Sequence, residues 1–83
     1  MIAIDIDVAL ARLNSRLREA SAAKVTSQDL AARIGITPEN LSRLANGHFG
    51  SLKRSTLDAL CRELECQPGD LLRWAPDRPR QET

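Results

Sequence analysis

The sequence predicts an all-α domain of five short helices, and three observations carry that prediction. Apolar residues recur at helical spacing in several separate runs. Recognisable start and stop residues punctuate those runs. The aromatic inventory is one Phe and one Trp with no Tyr, so the core must be built from Leu, Ile, Ala and Val. Leu and Ala favour helix, and β-branched residues are few. Eighty-three residues make one domain, with a small core that has to be packed efficiently.

Taken in order, Ile2, Ile4 and Ile6 alternate with Ala3 and Asp5, a period-2 pattern of strand type. Asp5 or Asp7 can N-cap a first helix over residues 6–21. Its inner face reads Ile6, Leu10, Leu13 and Leu17, with Arg12, Arg16 and Glu19 outside it. Thr26 is a good cap for a second helix, with Asp29 completing a capping box. Leu30, Ala31 and Ile34 form its apolar face, and Gly35 stands where a left-handed residue ends a helix. Thr37 caps the third helix and Pro38 falls at its first position, where a missing N–H costs nothing. Leu41 and Leu44 point inward, and Asn46-Gly47 stops it.

The stretch from His48 to Arg54 is expected to be a loop anchored by Phe49 and Leu52, with Ser51–Lys53 pairing with Ile2–Ile4 as a two-stranded ribbon. Ser55 or Thr56 should cap helix 4, whose inward side chains are Leu57, Leu60, Cys61 and Leu64. Gln67-Pro68-Gly69-Asp70 opens a last short turn of helix carrying Leu71 and Leu72. The domain is expected to span 1–74. The tail at 75–83, with two prolines and many charges, is expected to be disordered.

Thr26 to Gly47 is the informative segment: two short helices flank a tight turn. Small Ala31 allows a close crossing, Gly35 permits the turn, and Ile36 and Leu41 fill the wedge between the helices. The outer face of the third helix is then free to enter a DNA major groove, about 12 Å wide.

The same stretch, TSQDLAARIGITPENLSRLANG, resembles the helix-turn-helix of Cro/CI-type (XRE) regulators. Ser55 to Leu72, STLDALCRELECQPGDLL, is similar to a small single-domain subgroup of them. The resemblance covers about residues 24–74. It implies a Cro/CI repressor-like fold and a transcriptional regulator, of repressor type, that binds double-stranded DNA as a dimer. Three departures stand out. Ser27 occupies the position after the helix 2 cap where relatives often have Gln, and Gln28 comes one residue later. Ala45 replaces a Glu that pairs with an arginine of helix 1. The segment between Leu10 and Lys24 is about ten residues longer than in compact relatives, which means an extended helix or an inserted turn.

On that reading Arg43 reaches a guanine or a phosphate, Asn40 an adenine edge and Glu39 a cytosine amino group. Each is otherwise an ordinary solvated side chain. Pro38 is first a helix-starting residue, with a thymine methyl within its reach. Ser42 sits nearer the protein, its hydroxyl toward the DNA backbone. Thr26, Ser27 and Gln28 offer a helix N-terminus to phosphate, and Thr37, the cap of helix 3, is counted with the same DNA-binding surface. His48, Lys53 and Arg54 follow the recognition helix and grip phosphates, or form a solvated basic loop. Trp74 is expected to pack over the domain end or a dimer partner.

Net charge is +1, which is weak support for nucleic acid. The distribution says more: residues 1–54 carry eight Lys/Arg against five Asp/Glu, and residues 55–83 carry four against six. A protein-interaction module, such as an antitoxin-like partner, is therefore the alternative. An enzyme is disfavoured, because there is no Gly-rich phosphate loop and no Ser/His/Asp set. Cys61 and Cys66 read as reduced, apolar thiols. A zinc site would need four ligands, and His48 is the only histidine, so neither metal nor cofactor is expected. No apolar run approaches a membrane span, and the start lacks the basic region of a signal peptide. A cytoplasmic location is expected.

Overall fold

In the computed structural model the described residues are 1–76. They form a short strand β1 (Ile2–Ile4), five helices α1 (Ile6–Glu19), α2 (Ser27–Ile34), α3 (Pro38–Ala45), α4 (Arg54–Leu64) and α5 (Pro68–Leu71), and a second strand β2 (Leu72–Trp74). This is the all-α, Cro/CI-like architecture expected, with a small antiparallel ribbon.

The core is aliphatic throughout. Ile6 and Leu13 of α1, Leu30 and Ala31 of α2, Leu41 and Leu44 of α3, Leu60 and Leu64 of α4, and Leu71 of α5 are all buried together. Phe49 and Leu52 pack against this cluster as partly buried anchors. Leu10 and Leu17 on α1 and Cys61 on α4 join it from its margins. On α1 (Ile6, Ala9, Leu13), α3 (Leu41, Leu44) and α4 (Leu60, Leu64) the buried residues fall three or four apart, so one stripe is buried and the opposite one faces water.

The helix ends follow local chemistry. Gly35 adopts φ +80°, and its neighbour Ile36 donates back to Ala31 O at 3.0 Å. An L side chain rarely adopts that backbone conformation. Gly47 at φ +79° does the same after α3. At α5, Gln67 N–H donates to the Asp70 carboxylate at 3.0 Å, and Asp70 N–H returns a bond to Gln67 O at 2.8 Å. Both cysteines are free, and burial pushes each thiol above its ordinary pKa.

Several expectations are corrected. The ribbon exists, but β1 pairs with β2, with Ile2 opposite Trp74, Ala3 opposite Arg73 and Ile4 opposite Leu72. It does not pair with Ser51–Lys53. Leu52 is used as a core anchor instead, and fully buried Leu71 swings the following residues alongside β1. Leu72 is accordingly the first residue of a strand, not a helical residue. The signal was present, since Leu72-Arg73-Trp74 alternates as Ile2-Ala3-Ile4 does.

Helix α4 is capped by neither Ser55 nor Thr56: Lys53 holds the cap position with no side-chain bond, and the helix begins at Arg54. Asp5 takes the cap position of α1, again without a side-chain capping bond. Helix α1 ends at Glu19 as one continuous helix, and left-handed Ser21 turns the chain into the extra linker. Of the expected disordered tail, residues 77–83 lie outside the described residues. Ala75 N–H donates to Met1 O at 2.9 Å and continues the ribbon by one residue.

Candidate DNA-binding surface

The surface is built on the ends and outer face of two helices. At α2, Thr26 is extended (φ −87°, ψ 168°), and its hydroxyl accepts from Asp29 N–H at 3.1 Å. The Asp29 carboxylate accepts in return from Thr26 N–H at 3.0 Å. This is the capping box read from the sequence. It leaves the N–H groups of Ser27 and Gln28 at the first two helical positions, where no intrahelical acceptor exists. Both residues are exposed. The bonds from the Thr26 backbone and hydroxyl hold the Asp29 carboxyl below its ordinary pKa. It therefore stays charged and partly offsets the positive helix end.

At α3, the Thr37 hydroxyl accepts from Asn40 N–H at 3.1 Å and Pro38 fills the first position. Leu41 and Leu44 are buried, which aims Pro38, Glu39, Asn40, Ser42 and Arg43 outward, and all five are exposed. The Ser42 hydroxyl accepts from the Asn46 amide at 3.2 Å, which holds it toward the end of its own helix.

Two hollows gather these residues. A small one of about 150 Å³ joins Ser27 to Pro38 and Ser42, between the starts of α1, α2 and α3. A second groove of about 400 Å³ brings Asn40, Arg43, His48 and Lys53 together. The turn after α3 makes that possible: His48 N–H donates to Arg43 O at 2.8 Å, bringing the loop back over the helix.

Arg54 is not in this groove. It begins α4 and lines a separate hollow with Cys61, Cys66 and Arg62, so its expected place on the loop is corrected. Among the described residues, Arg43, Lys53 and Arg54 enter no ion pair, whereas Arg33, Arg62 and Arg73 are each held by a carboxylate.

Ser51 and Thr56 also line the main groove. Nothing periodic in the sequence marks Ser51 for this surface, and the position of Thr56 suggests a helix cap rather than a groove residue. Among the described residues, no three His, Cys, Asp or Glu side chains converge in a way that could hold a metal ion. No helix there is long and apolar enough to cross a membrane.

Residues 12–77 match the Cro/C1-type HTH DNA-binding domain. The chain is also 43% identical over 76 residues to an uncharacterized HTH-type transcriptional regulator, YozG, of Bacillus subtilis (strain 168). That alignment covers 92% of this chain and 79% of the relative.

Proposed function

Because the chain belongs to the Cro/C1-type helix-turn-helix DNA-binding family, we propose that it regulates transcription in the cytoplasm, as a repressor that binds a two-fold-symmetric duplex site as a homodimer. One observation supports this reading most. The outward face of α3 meets a groove holding Asn40, Arg43, His48 and Lys53, and among the described residues neither Arg43 nor Lys53 enters an ion pair.

In this reading α3 lies in the major groove. Arg43 bonds a guanine edge, Asn40 an adenine edge and Glu39 a cytosine amino group. Pro38 lies against a thymine methyl. The free N–H groups of Ser27 and Gln28 bind one phosphate at the α2 N-terminus, supported by the Thr26 cap. The Thr37 cap sets the angle at which α3 starts. His48, Lys53 and Arg54 hold phosphates beyond the recognition helix, and the Ser42 hydroxyl donates toward the backbone. One helix reaches few bases, so two copies on half-sites one helical turn apart are needed for specificity.

The test is duplex binding across a salt series, using sequences selected from a random pool. The affinity should fall linearly on a log–log plot, with a slope of about −0.9 for each phosphate neutralised. No binding at low salt would overturn the reading. It would favour a protein-interaction module instead, which the acidic C-terminal third and exposed Met1, Ile2 and Trp74 support.

A further inference from the structure

A broad trough runs beside α1, and one of its residues, Asp7, also borders the small hollow at Ser27, Pro38 and Ser42. The trough has a volume of about 740 Å³ and is lined along α1 by Asp7, Leu10, Ala11, Asn14, Ser15 and Arg18. The linker residues Ser21, Ala22 and Lys24 form its other wall. No residue of α3 lines it.

The α1 residues lining it fall at helical spacing on one stripe, and the stripe is self-complementary. Laid antiparallel against a second copy, Asp7 faces the partner's Arg18, Leu10 faces the partner's Ser15, and Ala11 faces the partner's Asn14. The two-fold axis passes the middle of α1, between Ala11 and Asn14. Asp7 and Arg18 are about 16 Å apart along the helix, so the opposite charges fall at the two ends of the contact and each meets its complement. Reversing the helix direction would set like charges together. Among the described residues neither Asp7 nor Arg18 has an ion-pair partner within the chain, and both are exposed. Near the centre each small residue faces a larger one, Ala11 the partner's Asn14 and Ser15 the partner's Leu10, which suits the ordinary interaxial distance of about 8–10 Å. The wall at 21–24 also places Lys24 on the same side as Arg18, adding to the positive end.

We infer that the α1 trough is where a second copy of this chain docks, helix α1 antiparallel to helix α1, through Asp7 and Arg18 ion pairs flanking a centre of small residues set against larger ones. This gives the dimer its surface and so rests on the homodimeric reading. The contact is isologous, so each side chain acts twice, and none of Glu39, Asn40 and Arg43 lines the trough.

Sedimentation equilibrium of the full chain without DNA tests it. The wild type should exceed the 9.2 kDa monomer mass and approach twice that value with concentration. Asp7→Arg or Arg18→Asp alone sets like charges together at both ends and should weaken dimerisation about tenfold or more. The double variant Asp7→Arg/Arg18→Asp exchanges the charges and should restore it. Ala11→Arg, at an exposed helical position, should abolish the dimer while leaving helical circular dichroism intact. Unchanged dimerisation in the single variants, or no recovery in the double, overturns the α1 surface while the dimer stands. So does loss of the dimer on Trp74→Ser alone, which would place the contact at the ribbon. A wild-type chain monomeric both free and on a full two-half-site duplex overturns the dimer and its surface together. The salt series above still tests DNA binding by itself.

Discussion

Arg73 grips Asp5 with two prongs of its guanidinium: Nε donates to Oδ2 at 3.0 Å and Nη2 to Oδ1 at 3.2 Å. The pair joins β2 to the entry of α1 across nearly the whole chain. It also explains why Asp5, standing at the cap position, makes no side-chain capping bond: its carboxylate is taken by Arg73. The bond closes the end of the domain where Asp5 N–H also donates to Leu71 O at 2.8 Å.

Acid should weaken the fold through this contact. The hydrogen bond from Arg73 holds the Asp5 carboxyl below its ordinary pKa, and the Thr26 bonds do the same for Asp29. A depressed carboxyl contributes stability that is fully present above its unfolded pKa and is lost as pH falls through the folded value. Urea midpoints should therefore drop on going from neutral pH to about pH 3. In Arg73→Ala the neutral-pH midpoint should fall slightly, because an exposed ion pair contributes little. The acid-induced drop should shrink, leaving the share of Asp29. An acid response identical to wild type would mean that Asp5 gains nothing from Arg73.

A second side chain fixes the approach to α2. The Asn14 amide donates to Val25 O at 2.8 Å and accepts from Val25 N–H at 2.8 Å. Val25 is buried, so losing Asn14 leaves two backbone groups with reduced access to water. Asn14→Ala should cost about 1–3 kcal/mol in urea unfolding. Because Thr26, Ser27 and Gln28 follow directly, duplex affinity of the folded variant should fall as well. A variant with wild-type stability would show that the clamp is dispensable.

Gly35→Ala isolates backbone strain. A Cβ at this position meets nothing within 4 Å, yet φ is +80°. The cost should be the left-handed conformation alone, about 1 kcal/mol, measured as a lower unfolding midpoint with the DNA site size unchanged. A stabilising substitution would mean that the turn relaxes to another geometry.

The two kinds of DNA contact should separate by substitution. Arg43→Ala should weaken cognate binding more than non-specific binding and relax preference at one or two base positions, by about 1–3 kcal/mol. Lys53→Ala, in the same groove, should weaken all duplexes about equally and reduce the salt slope by about one. Both side chains are exposed, so unfolding should shift by no more than about 0.5 kcal/mol. If Arg43→Ala keeps its base preference, α3 does not read the groove through that residue.

Much of this surface was legible in the chain itself because its determinants are local. Thr26 with Asp29, Thr37 with Pro38, Gly35, and the spacing of Leu30, Ala31, Leu41 and Leu44 each act over one or two turns. They set two helices, the turn between them and the outward face carrying Glu39, Asn40 and Arg43, and the structure follows them closely. What the sequence left to tertiary structure depended on residues far apart in the chain. Ile2–Ile4 carries a strand pattern, but a three-residue strand fits any partner of matching alternation. The burial of Leu71, the Asp5–Arg73 fork and the use of Leu52 as a core anchor select Leu72–Trp74 over Ser51–Lys53. The Asn14–Val25 clamp has no periodic signature, since a polar residue on a helix margin looks the same whether solvated or bonded. Arg54 left the loop because Lys53, with no capping side chain, still takes the cap position of α4. Local sequence fixed which face of α3 is free. Long-range packing decided which cations stand beside it, because the loop after α3 takes its path from Phe49 and Leu52 against the core.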